Sequence, residues 1–351
     1  MPKPISGSLD LRGLPQRDEL AEMCIKLGCQ ILWSQAHQKD RDSPKCCGSV
    51  PQTMVSTVSS AGPRLSRYKV ATGTGTAVQV EKTMDAEHQA LAELYQQGFD
   101  PAEYLRYNYS YPRADFSKED SFTVCLLKTL HKAFTEGDIK GGVLLDVGSG
   151  PTIYQVMAAC EIFDKVIMSD FLEANRNELR NWLENNGKCS LDWSPFFKYA
   201  CKLEGREPSA WEEKAARLRK VLKGIVPANV HLPQPVSADV VPPEGADCIV
   251  SCFCLDAACL TMPLYSRDLG HVVSLLKPGG HLMIVGTVGM TYYYGGPQAN
   301  VSTFPFTEVE VCQLLRENGM SLIRLEMFPL PQKEETTDDA KAILFVKAKK
   351  D

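Results

Sequence analysis

The rhythm of apolar and polar positions changes twice along this chain. Up to residue 85, apolar residues are scattered among Ser, Thr, Gly, Pro and charge, as in Ser56 to Pro63 and Ala71 to Ala77. A helical period shows only from Asp18 to Leu27. That texture predicts a mostly disordered extension over 1–85. From Asp85 onward, order is expected. Ala86 to Gln97 has a helical pattern. Asp100 before Pro101 suits an N-cap with proline at the first helical position. Ser117-Lys118-Glu119-Asp120 reads as a capping box that opens a helix running to Phe134. Residues 86–140 are thus predicted to form a helical cap.

Over residues 141–351 the pattern alternates. Strands are predicted at Val143–Val147, Lys165–Ser169, Phe197–Cys201, Asp247–Cys252 and His281–Thr287, with a short extended piece at Val230–Leu232. Helices are predicted at Thr152–Ile162, Glu173–Asn185, Ala210–Lys223, Leu264–Leu276 and Thr307–Asn318. Such alternation predicts an α/β fold with a doubly wound, Rossmann-like parallel sheet. Two late strands, Ser321–Phe328 and Ala342–Lys347, have no helix between them and should pair antiparallel at one edge.

The first strand of this region breaks at Gly148-Ser149-Gly150, and Pro151 follows. Strand, glycine turn and predicted helix form a ligand-binding mouth at the carboxyl end of a strand. Asp170 ends the next strand, roughly twenty residues on, where an acid faces ribose hydroxyls in such folds. The same acid could instead serve as a helix N-cap before Phe171-Leu172. Turn and acid alone do not separate a dinucleotide from S-adenosylmethionine. The third glycine of a dinucleotide fingerprint is missing, and a sulfonium ligand has no pyrophosphate to need it. A late antiparallel strand pair also fits the methyltransferase version of the sheet.

Composition narrows the classes. The 351-residue chain carries a net charge of −5 with pI about 5.8, so no basic excess points to nucleic acid. No window approaches the roughly 18 apolar residues of a membrane span. No apolar h-region opens the chain, so no signal peptide is expected. Thirteen cysteines at irregular spacing, many in apolar segments, read as free buried thiols in a reducing compartment, and the cytosol follows. Cys248, Cys252, Cys254 and Cys259 suggest core packing, and no metal site is expected. Cys46-Cys47 reads as a bland loop. Thr72-Gly73-Thr74-Gly75-Thr76 lacks the preceding strand that a phosphate loop needs.

Several blocks together are similar to the nicotinamide, phenylethanolamine and indolethylamine N-methyltransferase family. They are Phe99-x-Pro101-x-x-Tyr104-Leu105, Asp146-Val147-Gly148-Ser149-Gly150-Pro151-Thr152-Ile153-Tyr154-Gln155 and Leu191-Asp192-Trp193-Ser194-Pro195. Cys254-Leu255-Asp256-Ala257-Ala258-Cys259 and Ser274-Leu275-Leu276-Lys277-Pro278-Gly279-Gly280 complete the set. The resemblance runs from Phe99 to the end of the chain. It implies a class I methyltransferase with a helical cap, using S-adenosyl-L-methionine and releasing S-adenosyl-L-homocysteine.

It also implies residue roles. Tyr104 and Tyr109 match cap tyrosines that close over the cofactor. Gly148, Ser149, Gly150, Thr152 and Tyr154 match the turn around its methionine part. Asp170 matches the ribose acid, and Asn175 a polar contact beside it. Asn229-Val230 falls where the family has Asp-Val against adenine. Cys252, at a strand end, falls beside the cofactor. No general acid or base is assigned, because proximity and orientation carry the transfer.

The acceptor segment, Val285 to Tyr294, contains no acid, and Gly286 stands where the nicotinamide enzyme has one. This predicts weak or absent nicotinamide activity and a larger, more apolar small-molecule acceptor, met by Gly286, Tyr293 and Thr303. A thioether S-methyltransferase and a non-catalytic cofactor-binding relative are the alternatives, and a nucleotide-linked oxidoreductase a more distant one. The protein is expected to act as a monomer without membrane or nucleic-acid partners. The family begins where Met84 stands relative to Phe99, so one expectation is that translation starts at Met84.

Overall fold

The computed structural model describes residues 92–93, 95–184, 188–330 and 339–351, and the backbone of 30–33. The expected helix at Asp18–Leu27, Cys46-Cys47, Thr72–Thr76 and nearly all of the 1–85 extension lie outside the described residues. So does the first part of the Ala86–Gln97 helix.

The strands are β1 (Gln30–Trp33), β2 (Val143–Val147), β3 (Lys165–Asp170), β4 (Leu222–Pro227), β5 (Ala246–Cys252), β6 (Leu276–Val288), β7 (Tyr292–Gly296), β8 (Ala299–Ser302), β9 (Met320–Pro329) and β10 (Ala342–Lys350). An eight-stranded sheet has the order β1-β9-β10-β6-β5-β2-β3-β4, and β7 and β8 pair separately. From β4 to β6 every pairing is parallel. The expected antiparallel pair is present but does not form the sheet's edge: β10 inserts between β6 and β9 and runs opposite to both, and β1 pairs parallel on the outer side of β9. Every residue of β5 is buried, as are most of those in β2 and β3, which accounts for their continuous apolar runs.

The helices are α1 (Pro101–Tyr109), α2 (Phe122–Thr135), α3 (Glu173–Leu183), α4 (Ser194–Leu203), α5 (Trp211–Val221), α6 (Leu255–Ala258), α7 (Met262–Ser274) and α8 (Glu308–Glu317). Asp100 caps α1 as expected, its side chain accepting from the amides of Ala102 and Glu103. Thr307 and Glu310 form a capping box at α8.

Four local expectations are corrected. The segment after Pro151 is not a helix but two 3-10 turns, Tyr154–Val156 and Ala159–Glu161. Gln155 explains this: its amide donates to Asp146 Oδ2 at 2.8 Å and to the carbonyls of Ser149 and Thr152, competing with helical bonds. Phe197–Cys201 is not a strand; it belongs to α4, where buried Phe196, Phe197, Ala200 and Cys201 follow a helical period. The strand of this region is instead β4, half exposed at the sheet edge and ending in Pro227, which an edge tolerates. Val230–Leu232 lies in turns rather than an extended piece. Finally, α2 starts at Phe122 with Ser121 as its cap, while Ser117 donates to Asp115 Oδ1 at 2.6 Å.

Candidate active site

The carboxyl ends of β2, β3 and β5 meet at one place. After β2 the chain turns through Gly148 and Gly150, both in the left-handed region at φ 71° and 59°. A Cβ on Gly148 would collide with the Cys254 side chain, whereas one on Gly150 would meet no atom within 4 Å. Ser149 locks the turn to β3. Its amide donates to the Ser169 carbonyl at 2.9 Å, and its hydroxyl accepts from the Ser169 amide at 3.1 Å. Thr152 Oγ1 closes the turn on the Ser149 carbonyl at 2.9 Å.

Asp170 is buried at the end of β3 and receives three donors. Gly150 N reaches Oδ2 at 2.7 Å, while Leu172 N and Asn175 Nδ2 reach Oδ1 at 2.8 and 3.0 Å. Burial raises its pKa despite these bonds. Asp170 is not the N-cap of α3, whose cap position is Leu172; its carboxylate instead links the glycine turn to the segment before that helix. A carboxylate accepts about four donors, so one position is left. Asn175 Oδ1 and Asp146 Oδ1 are buried without a partner. Burial pushes the Asp146 carboxyl up to about 7.

Aromatic rings close the other side. Tyr104 and Tyr109 lie 5.9 Å apart by ring centroids, and Tyr109 lies 5.3 Å from Tyr154. Five-residue spacing on α1 therefore does not keep the two tyrosines apart. Trp193 and Phe196 pack behind Tyr109. Burial pushes the Tyr104 phenol up to about 12 and those of Tyr109 and Tyr154 well above their usual value. All three rings are therefore neutral phenols at ordinary pH.

Cys252 ends β5 opposite Val285 of β6. The next residue, Phe253, is in the left-handed region at φ 55°, a strained conformation for a bulky side chain. No sequence signal marked it.

Beyond Asp170, an open cleft of about 470 Å³ is lined by Phe171, Ala228, Asn229, Leu232, Pro235 and Val236. Phe171 and Leu232 are exposed large apolar residues on it. Asn229 Oδ1 is engaged by the His231 amide at 3.0 Å, and Val230 is buried. Phe171 was legible in principle as an aromatic directly after the ribose-type acid.

The expected acceptor side changes most. Gly286 does not stand in acid-free surroundings: a Cβ there would lie 3.6 Å from Asp256 Oδ2. Asp256, on α6, is buried and accepts from the Thr287 amide and hydroxyl at 2.9 and 2.8 Å. Burial raises its pKa. The negative charges of Asp256 and Asp170 both act to raise the Tyr104 pKa, in addition to burial. A second acid, Asp339, accepts from the Thr291 amide and hydroxyl at 2.7 and 2.6 Å. Thr303 is tied to the same segment through its amide to the Thr291 carbonyl and its hydroxyl to the Met290 carbonyl, both at 2.9 Å. Tyr293 is on β7, beside Tyr95 at 6.4 Å and packed with Ala299 and Val301. The signal for Asp256 was an acid inside the otherwise apolar Leu255–Ala258 block.

A doubly wound sheet with an inserted antiparallel strand, a glycine turn and an acid on the adjacent strand defines a class I methyltransferase. The NNMT/PNMT/TEMT family matches residues 87–351, and the chain belongs to it. Mouse phenylethanolamine N-methyltransferase is 39% identical over 290 residues, covering 81% of this chain and 97% of that protein. Rabbit indolethylamine N-methyltransferase is 36% identical over 256 residues, covering 73% and 95%. Human nicotinamide N-methyltransferase is 38% identical over 230 residues, covering 66% and 85%. Among the described residues, no helix is long and apolar enough to cross a membrane.

Proposed function

We propose that this methyltransferase acts on the nitrogen of a small amine, and that Asp256 is the group that selects it. The observation that carries this reading is the buried carboxylate facing Gly286. A buried acid attracts an ammonium strongly, whereas a neutral carboxamide or thioether gains little from it.

The residues present fit S-adenosyl-L-methionine, which supplies an electrophilic methyl group on a sulfonium. Asp170 has one acceptor position left and Asn175 Oδ1 has no partner; together they suit two ribose hydroxyls. The cleft beside Phe171 and Asn229 suits adenine. Asp146 Oδ1 suits an ammonium. The 3-10 turns behind the glycines leave no helix N-terminus there, so the array that favours a pyrophosphate is missing from the described turn. Neutral faces of Tyr104, Tyr109 and Tyr154 offer a sulfonium cation–π attraction of roughly 0.5–2 kcal/mol. Residues 86–140 act as the cap, and the family match from residue 87 supports that boundary.

On the acceptor side, Asp256 holds the incoming amine, and its raised pKa brings it closer to a useful proton acceptor. An ammonium must lose a proton before its lone pair can attack. Tyr293, Thr303 and the Asp339–Thr291 pair shape the remaining wall. Alignment and exclusion of water supply most of the acceleration, on the order of 7–11 kcal/mol. Nine free thiols among the described residues support work in a reducing compartment such as the cytosol.

The test is methyl transfer from labelled S-adenosyl-L-methionine by the purified protein. Acceptors are phenylethylamine, tryptamine, nicotinamide and dimethyl sulfide. An amine as the best acceptor is expected. Nicotinamide or the thioether as the best acceptor, or turnover of none, overturns the reading.

A further inference from the structure

Asp268 lies on α7 and is completely buried, yet several side chains converge on its carboxylate. His231 Nδ1 lies 2.6 Å from Oδ2, and Cys259 Sγ donates to the same oxygen at 3.4 Å. Arg267 Nε donates to Oδ1 at 2.9 Å, and His271 Nδ1 stands 3.7 Å from it. His271 Nδ1 is also 2.9 Å from the Val230 carbonyl oxygen, to which it can only donate.

Two of these partners are attached to one loop. His231 belongs to it by its own side chain, and His271 reaches it through the Val230 carbonyl. The loop is Asn229–His231, whose first residue lines the cleft next to Phe171. Its local bonds are short-range. Asn229 N donates to the Pro235 carbonyl at 2.8 Å, and Asn229 Oδ1 is spent on the His231 amide. The bonds to α7 therefore tie the loop to the body of the fold.

A fully buried carboxylate is costly unless it is paired. Burial pulls the Asp268 carboxyl upward, but His231 and Arg267 outweigh it and hold the group below its usual range. The carboxylate is thus paired from both sides, and on Oδ2 the pairing includes His231 from the loop.

We infer that Asp268 and His271 are positioning residues for the donor: they hold Asn229–His231 in the conformation that receives adenine. Neither touches the ligand. This rests on the reading of the cleft as the adenine end of the site. When the tie is cut, the loop samples other conformations, and donor affinity falls with the fraction still competent.

The test compares wild type with Asp268→Asn, His271→Ala and His271→Gln. Calorimetry gives the Kd for S-adenosyl-L-homocysteine, and steady-state kinetics separate the two KM values from kcat. His271→Ala and Asp268→Asn are expected to weaken product binding and raise the donor KM about tenfold, as for a loop competent a tenth of the time. The amine KM and the kcat at saturating donor stay within about twofold, because no acceptor contact is removed. Gln at 271 can still donate to the Val230 carbonyl and restores affinity. Should Asp268→Asn not fold, the two His271 variants carry the comparison. Unchanged product affinity in folded His271→Ala, or equal rises in both KM values, overturns the inference. Wild type that fails to bind S-adenosyl-L-homocysteine overturns the functional reading itself. Wild type that binds, with variants that bind equally well, removes only the positioning role.

Discussion

Gly286 and Asp256 face each other: a Cβ on the glycine would sit 3.6 Å from the carboxylate oxygen. With no side chain at Gly286, nothing from that residue fills the space beside the buried carboxylate. Asp256→Asn keeps the shape and one acceptor oxygen but removes the charge. It should lower kcat/KM for an amine by about 10²-fold, the loss of a charge-assisted bond worth roughly 1.5–3 kcal/mol. Binding of S-adenosyl-L-homocysteine should be unchanged, and calorimetry beside amine kinetics checks both.

Gly148→Ala is expected to damage fold and site together. The left-handed backbone costs a side chain about 1–2 kcal/mol, and collision with Cys254 adds to it. Urea unfolding should show a loss of about 2 kcal/mol or more. Cys254→Ala in the same chain removes part of the collision but not the backbone cost, so it should recover only part of the stability.

Asp170→Ala leaves three donors, on Gly150, Leu172 and Asn175, without their acceptor. Each buried donor left unpaired costs about 1–3 kcal/mol. Thermal melting without ligand should fall markedly, and S-adenosyl-L-homocysteine should no longer raise the melting temperature.

Asp146 should make ligand stabilisation depend on pH. Burial raises its pKa from 3.8 to about 7 in the folded chain. A raised folded pKa contributes stability that is fully present below the unfolded value and is lost as pH rises through the folded one. The ligand-free protein should therefore weaken as pH rises from about 3.8 to about 7 and level off above that. A ligand ammonium beside Oδ1 offsets that loss, so the melting shift from S-adenosyl-L-homocysteine should grow over the same range. Asp146→Asn should flatten both trends, as melting curves with and without ligand would show.

What could be read from the sequence was short in range. The run Val143–Val147, the break at Gly148 and Asp170 at the next strand end are local signals, and each falls where expected. The cap at Asp100 is local too. Gln155 defeated the helix forecast because its amide reaches back to Asp146, nine residues away, instead of leaving the backbone to itself. α4 was hidden because a short aromatic run satisfies either period. The acids that meet Thr287 and Thr291 were out of reach for a different reason. Asp256 meets Thr287 across 31 residues and Asp339 meets Thr291 across 48, and no pattern along the chain encodes which loops meet. The segment Val285–Tyr294 has no acid of its own, yet Asp256 stands beside Gly286 from another part of the chain.

The insertion of β10 between β6 and β9 has a consequence for synthesis. β6 carries Gly286, yet one of its two neighbours, β10, follows it only after β7, β8 and β9 in the chain. A nascent chain stalled before residue 342 would carry β6 and β9 as two open edges, long and rich in apolar residues. Lys347 would also be absent from the acids Glu136 and Asp138 that it joins in the finished fold. Completion of the sheet around Gly286 therefore waits for β10, and premature termination in this region should yield aggregation rather than a partly active enzyme.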